Sequence, residues 1–176
     1  FMLLTYGLPN QGMNDSFTIY AYAFDKEGNN VLIGSRRINS RNNTNTSPFG
    51  AIDTPTQGGT ASGAGFVNFG WALTPQPKSI ATDGSTLLVY VDGVNLGHPH
   101  YGYARADIQE AFPGYANTNT AVGYYELDTT KYANGVHTIS WTVWDSANVM
   151  TGIGSRYFTI FNGSGAVSYT HLTLPT

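Results

Sequence analysis

Along most of the chain, apolar and β-branched residues alternate with polar ones in short runs, and Gly, Asn, Asp or Pro clusters separate the runs. A period of two sends successive side chains to opposite faces of an extended strand, so each run reads as a strand with one face toward a core. Val67, Phe69, Trp71 and Leu73 share one such face, with Asn68 and Gly70 on the other. Leu87, Val89 and Val91 repeat the pattern ahead of Asp92-Gly93, a dipeptide suited to the positive φ angles of a tight hairpin. Gly123, Tyr125 and Leu127 form a further set, and over 137–145 Ile139, Trp141 and Val143 alternate with Thr138, Ser140 and Thr142. Phe158 and Ile160 end the series, and Asp83-Gly84 and Asn134-Gly135 mark other turns. Only 104–112 has helical spacing, with Ile108, Ala111 and Phe112 on one side and Pro113-Gly114 as a stop. A parallel α/β fold needs repeated crossover helices, and the pattern holds none. The alternation therefore predicts an all-β, antiparallel sandwich with one short helical insertion. Its core should hold Trp71 and Trp141 with Phe69, Val89, Val91, Val143 and Leu127.

One stretch occurs twice. Residues 17–38 align without a gap to 137–158, with seven identities in 22 positions. Thr18, Ile19, Asp25 and Ile33-Gly34-Ser35-Arg36 match Thr138, Ile139, Asp145 and Ile153-Gly154-Ser155-Arg156. The physical reading is one hairpin used twice, a strand, an Asp-initiated turn and a second strand, with Arg156 structural. It divides the chain into three parts. Residues 1–46 are the C-terminal hairpin of a preceding module plus a linker, since 41–48 is polar and ends in Pro. Residues 47–162 form one complete module, and 163–176 a tail. Two strands alone bury too little to be stable, so the first hairpin should need a cover.

Leu127-Asp128-Thr129-Thr130, Asn134-Gly135-Val136-His137-Thr138-Ile139, Asp145 and Ile153-Gly154-Ser155-Arg156 together resemble bacterial immunoglobulin-like repeat modules. In that family such a stretch carries the last strands of the sandwich. Tyr90-Val91-Asp92-Gly93, with Tyr101-Gly102, Arg105 and Asp107-Ile108, is similar to modules of large bacterial secreted or surface proteins. The resemblance covers about 49–162 and part of 5–38. It implies a non-catalytic stalk, spacer or adhesion unit, secreted or on the cell surface, whose partners are neighbouring modules of the same chain. A polysaccharide or surface protein is a further partner class, and a carbohydrate-binding accessory module of a secreted hydrolase is the alternative function. The last eleven residues, Ala166-Val167-Ser168-Tyr169-Thr170-His171-Leu172-Thr173-Leu174-Pro175-Thr176, resemble a translated sequencing adapter at the end of a metagenomic reading frame.

Composition narrows the remaining classes. Eight basic and 11 acidic side chains give a net charge of −3, and the few Lys and Arg are dispersed, which offers no footprint for nucleic acid or anionic lipid. Charged residues are only 11% of the chain and aromatics 14%, which excludes a coiled coil or an acidic disordered tail. With no cysteine, disulfide frameworks, thiolate metal sites and cysteine nucleophiles are excluded, and apolar packing must replace an inter-sheet disulfide. No apolar run is long enough to span a bilayer as a helix. Phe1-Met2-Leu3-Leu4 lacks a basic flank and a full apolar stretch, so the chain reads as an excised fragment.

Candidate chemistry is sparse. Asp107 and Glu110 could act as paired carboxylates on one helical face; alternatively Arg105 bridges to a carboxylate and holds the insertion to the sandwich, which makes Arg105 and Asp107 structural. His98, His100 and His137 do not supply zinc spacing. Gly58-Gly59-Thr60-Ala61-Ser62-Gly63-Ala64-Gly65 precedes a strand rather than a helix, so it is a turn and not a phosphate cradle. The Asp25 and Asp145 turns could offer two or three oxygens each to calcium if Asp53 or Asp92 converged on them, and Asx turns explain them without a metal. No cofactor is otherwise implied. Tyr20, Tyr22 and Phe24 alternate on one face, and Trp144 stands at the repeat position of Phe24; such a row could stack on sugar rings. Tyr101, Tyr103 and Tyr115 flank the insertion.

Overall fold

The computed structural model describes residues 15–40 and 46–163. They fall into two units, divided between Asn45 and Thr46. The first unit is an antiparallel hairpin of β1 (Asp15–Phe24) and β2 (Asn30–Ser40).

The second unit is a two-sheet sandwich. One sheet has the order β3 (Phe49–Thr54), β5 (Phe66–Pro75), β10 (Val122–Leu127), β8 (His100–Tyr103), with the short β9 (Tyr115–Ala116) on the end of β5. The other has the order β4 (Thr60–Ala61), β12 (Met150–Ile160), β11 (Gly135–Trp144), β6 (Leu87–Val91), β7 (Val94–Gly97). Taken in chain order, this is the immunoglobulin arrangement: β3, β5, β10 and β8 stand as strands A, B, E and D in one sheet, and β6, β11 and β12 as C, F and G in the other, with the short β4 and β7 at its edges. The fold is an all-β, immunoglobulin-like sandwich. All pairings are antiparallel except the short one between β4 and β12. The helix α1 (Ala106–Ala111) is the one α-helical insertion among the described residues. Asp92 and Gly93, at φ 50° and 79°, form the tight turn between β6 and β7.

The core follows the period-two pattern on β6 and β11. Leu87, Val89 and Val91 point inward, as do Ile139, Trp141 and Val143, and Ile153, Phe158 and Ile160 join them from β12. On β5 the expected face is inverted. Asn68, Gly70 and Ala72 face the opposite sheet, while Phe69 is 41% exposed and Trp71 is buried on the outer side. The cause is the size of Trp141. Gly70 and Gly123 are cross-strand partners, and a Cβ on either would lie 3.3–3.4 Å from the indole ring. The largest core side chain thus rests on a floor without side chains, because an interior packed to crystal density must pair large with small. Asn68 belongs on this face because its Oδ1 accepts the Trp141 Nε1–H at 2.6 Å, and its own amide donates to the Thr54 carbonyl. Burying the indole leaves no polar atom stranded.

Trp71 anchors a second cluster on the outer side of β5. Phe112, at the end of α1, lies 5.2 Å from it, and Phe49 sits among Trp71, Phe112 and Tyr115 at 5.1–5.9 Å. The insertion therefore covers one half of this outer face and leaves the other half open.

Candidate functional site

The open half of that face is an aromatic groove across three strands. On β10, Val122, Tyr124 and Glu126 alternate outward while Gly123, Tyr125 and Leu127 turn away. Register puts Phe69 of β5 opposite Tyr124 on one side and His100 of β8 opposite it on the other. The ring centroids lie 6.1 Å from Tyr124 to Phe69, 4.9 Å to His100 in a stacked pair, and 5.5 Å to Tyr103. Val67, Phe69, Tyr103, Val122, Tyr124 and Glu126 line a volume of about 440 Å3. Its polar atoms are two phenol hydroxyls and one carboxylate. The Tyr124 phenol is held above its ordinary pKa by its hydrogen bond with Tyr103 first, then by desolvation and by the nearby Glu126 carboxylate. At neutral pH it is therefore a neutral hydroxyl.

The residues singled out from sequence go to several places. Tyr20, Tyr22 and Phe24 are exposed on β1, and Trp144 is half-buried at the end of β11 in the other unit. Arg105 precedes α1; its Nε donates to Asp107 at 2.7 Å and its Nη1 to Asp53, which ties the insertion to β3. That contact holds the Asp107 carboxyl below its ordinary value, and Glu110 is exposed. Arg156 donates from Nη2 to the Ile52 carbonyl at 2.9 Å, joining β12 to β3. The histidines have separate surroundings: His98 Nδ1 is 2.7 Å from the Leu87 carbonyl, His100 stacks on Tyr124, and His137 lies between Asp92, at 2.6 Å, and the Ala133 carbonyl.

Among the described residues, Asp53 and Asp92 do not converge on the Asp turns. Asp53 faces Arg105, and Asp92 faces His137 and the Thr138 amide. Asp145 is fully buried and pairs with Lys78 Nζ at 2.7 Å. Burial pushes the Asp145 carboxyl up, but Lys78, the Val149 and Ala147 amides and the Thr74 hydroxyl outweigh it, leaving the group below its ordinary pKa. Among the described residues no three His, Cys, Asp or Glu side chains gather in a metal-binding group.

The groove is hidden in the sequence because the alternation on 67–73 places Phe69 with the core, and nothing local links Tyr124 and Glu126 to it. The available signal was the alternation on 122–127, where Tyr124 falls on the side opposite Gly123 and Leu127.

No protein-family model matches the chain, and no curated protein sequence matches it. Among solved structures, the endo-beta-1,4-mannanase from Thermotoga petrophila is similar over 65% of this chain, at 13% identity and a TM-score of 0.42. This chain spans 20% of that enzyme's length. The fibronectin(III)-like modules of CbhA from Clostridium thermocellum are similar over 93% of this chain and 70% of theirs, at 15% identity and a TM-score of 0.42.

Proposed function

We propose that the chain is a non-catalytic, architectural unit, a spacer or adhesion module in a bacterial extracellular or cell-surface protein of several immunoglobulin-like repeats. The carrying observation is that β1–β2 reproduces β11–β12 register for register. Ile19 pairs with Arg36 and Ala21 with Gly34, just as Ile139 pairs with Arg156 and Trp141 with Gly154. Both hairpins then skip one residue, at Ile33 and at Ile153, before pairing resumes. Both turns are also built alike. Asp25 N donates to the Asn29 carbonyl and Asp145 N to the Val149 carbonyl, and each Asp Oδ1 accepts the amide four residues on. Gly28 and Asn148 supply the positive φ, 87° and 59°.

A hairpin specified in such detail twice in one chain is the mark of tandem modules. In this reading β1–β2 belongs to a neighbouring module of the same design, whose other strands cover Ile19, Ile33 and Ile38. Neighbouring modules are then the principal partners. The test is small-angle X-ray scattering on one, two and three copies of 47–162 joined through the native 41–46 segment. A spacer gives a maximum dimension that grows by roughly one strand length, about 35 Å, per copy. Copies that collapse into a particle of unchanged maximum dimension would contradict the reading.

A further inference from the structure

The outer face of the sheet β3-β5-β10-β8 carries an open row of rings that the architectural reading does not use. Antiparallel sandwiches ordinarily turn polar residues toward water on this side. Here Phe69 and Tyr103 remain 41% and 49% exposed, with Tyr124 between them. The adjacent Trp71 shows what the fold does with a ring it means to bury, since the insertion closes over it. Grouped, uncovered rings around a concave volume mark a binding surface.

We infer that the groove formed by Phe69, Tyr103, Tyr124 and Glu126 binds a neutral polysaccharide, stacking its hexopyranose rings on the aromatic row.

The chemistry of the lining selects this class. The one formal charge among the lining residues is the Glu126 carboxylate, and no Lys or Arg is there, so phosphorylated or carboxylated ligands are repelled. The rings, 5–6 Å apart and tilted 45–48° to one another, each present apolar area against which the C–H face of a sugar ring can pack. Glu126 accepts hydrogen bonds and donates none, while the Tyr103 and Tyr124 hydroxyls can do both, so an occupant that carries donors and acceptors together suits the lining. A sugar brings hydroxyl donors in every ring. A proline-rich peptide, the other common occupant of aromatic grooves, brings mainly carbonyl acceptors and so offers nothing to that carboxylate, which is why it is the competing ligand in the test.

Isothermal titration of the whole chain with cellohexaose and mannohexaose, with polygalacturonate and a proline decamer alongside, tests this. Saturable heat is expected from at least one neutral hexasaccharide, and none from polygalacturonate or the proline peptide. Tyr124→Ala should weaken association at least about tenfold. Tyr124→Phe keeps the ring and tests stacking in a side chain that disturbs packing less, so it should retain binding within a few-fold. Tyr20→Ala with Tyr22→Ala, on the first hairpin, should leave the titration unchanged. Circular dichroism melting shows whether each variant is folded. No saturation by either neutral hexasaccharide below about 10 mM, or equal binding by folded wild type and Tyr124→Ala, overturns the proposal. So does binding of the proline peptide without binding of sugar. These outcomes leave the scattering test of the spacer reading untouched.

Discussion

In the β11–β12 hairpin, Ile139, Trp141, Val143, Ile153 and Phe158 lose all contact with solvent, whereas in β1–β2 the equivalent Ile33 keeps 68% of its surface exposed. The two hairpins nevertheless share register, skipped residue and turn hydrogen bonds. Local geometry is thus set by the residues that match: the Asp that accepts the turn amides, a positive-φ position three residues later, and Ile-Gly-Ser-Arg. Stability is set by what lies across from it. Trp141 has a partner sheet with a glycine floor, and at the same place the first hairpin has Ala21.

The largest test of that division is Trp141→Ala, which should cost about 3–5 kcal/mol in chemical denaturation. Ala21→Trp, its mirror in the first hairpin, should leave the sandwich transition within about 0.5 kcal/mol. Ile153→Ala should cost about 2–4 kcal/mol, and Ile33→Ala again within about 0.5 kcal/mol of nothing for that transition. A comparable loss from Ile33→Ala would remove the distinction.

Next is the turn carboxylate. Asp145→Asn leaves Lys78 without its partner and should cost about 2–3 kcal/mol, less than a sealed ion pair because Lys78 keeps some exposure. The sign with pH follows from the lowered pKa. Asp145 contributes fully above the unfolded carboxylate range and loses that contribution as pH falls through its lower folded value. The stability gap between wild type and Asp145→Asn should therefore be constant near neutrality and narrow below about pH 4. A gap that widens on acidification would contradict the assignment. Asp25→Asn, in the exposed copy, should not move the sandwich transition at any pH. Smallest is Asn148→Ala, where a side chain that tolerates the left-handed region gives way to one that does not, at about 1 kcal/mol by thermal melting.

The architecture was readable wherever a strand's own alternation decides its face. Leu87, Val89 and Val91 and the Ile139 to Val143 set needed no knowledge of their partners. The duplicated hairpin and the Asp92-Gly93 turn were readable for the same reason, since hydrogen bonds within a few residues fix them. Failure began where a residue's role depends on a distant one. Gly70 looks like a weak strand position until Trp141 is placed against it, and only then does Phe69 turn outward. Lys78 pairs with Asp145 across a separation that no local pattern carries, and although Arg105 reads as a bridge to a carboxylate, its partner Asp53 also lies far away in sequence. The groove is illegible for the same reason: β5, β10 and β8 each contribute one or two rings, and only register brings them together.

Native-state hydrogen exchange followed by NMR compares the two hairpins directly, because Ile19 and Ala21 stand where Ile139 and Trp141 stand. If shared local sequence gives geometry and the opposing sheet gives stability, strand amides of β11–β12 exchange only through global unfolding of the sandwich. Those of β1–β2 should then exchange at least about a hundredfold faster through local opening. Equal protection in the two hairpins would contradict the account.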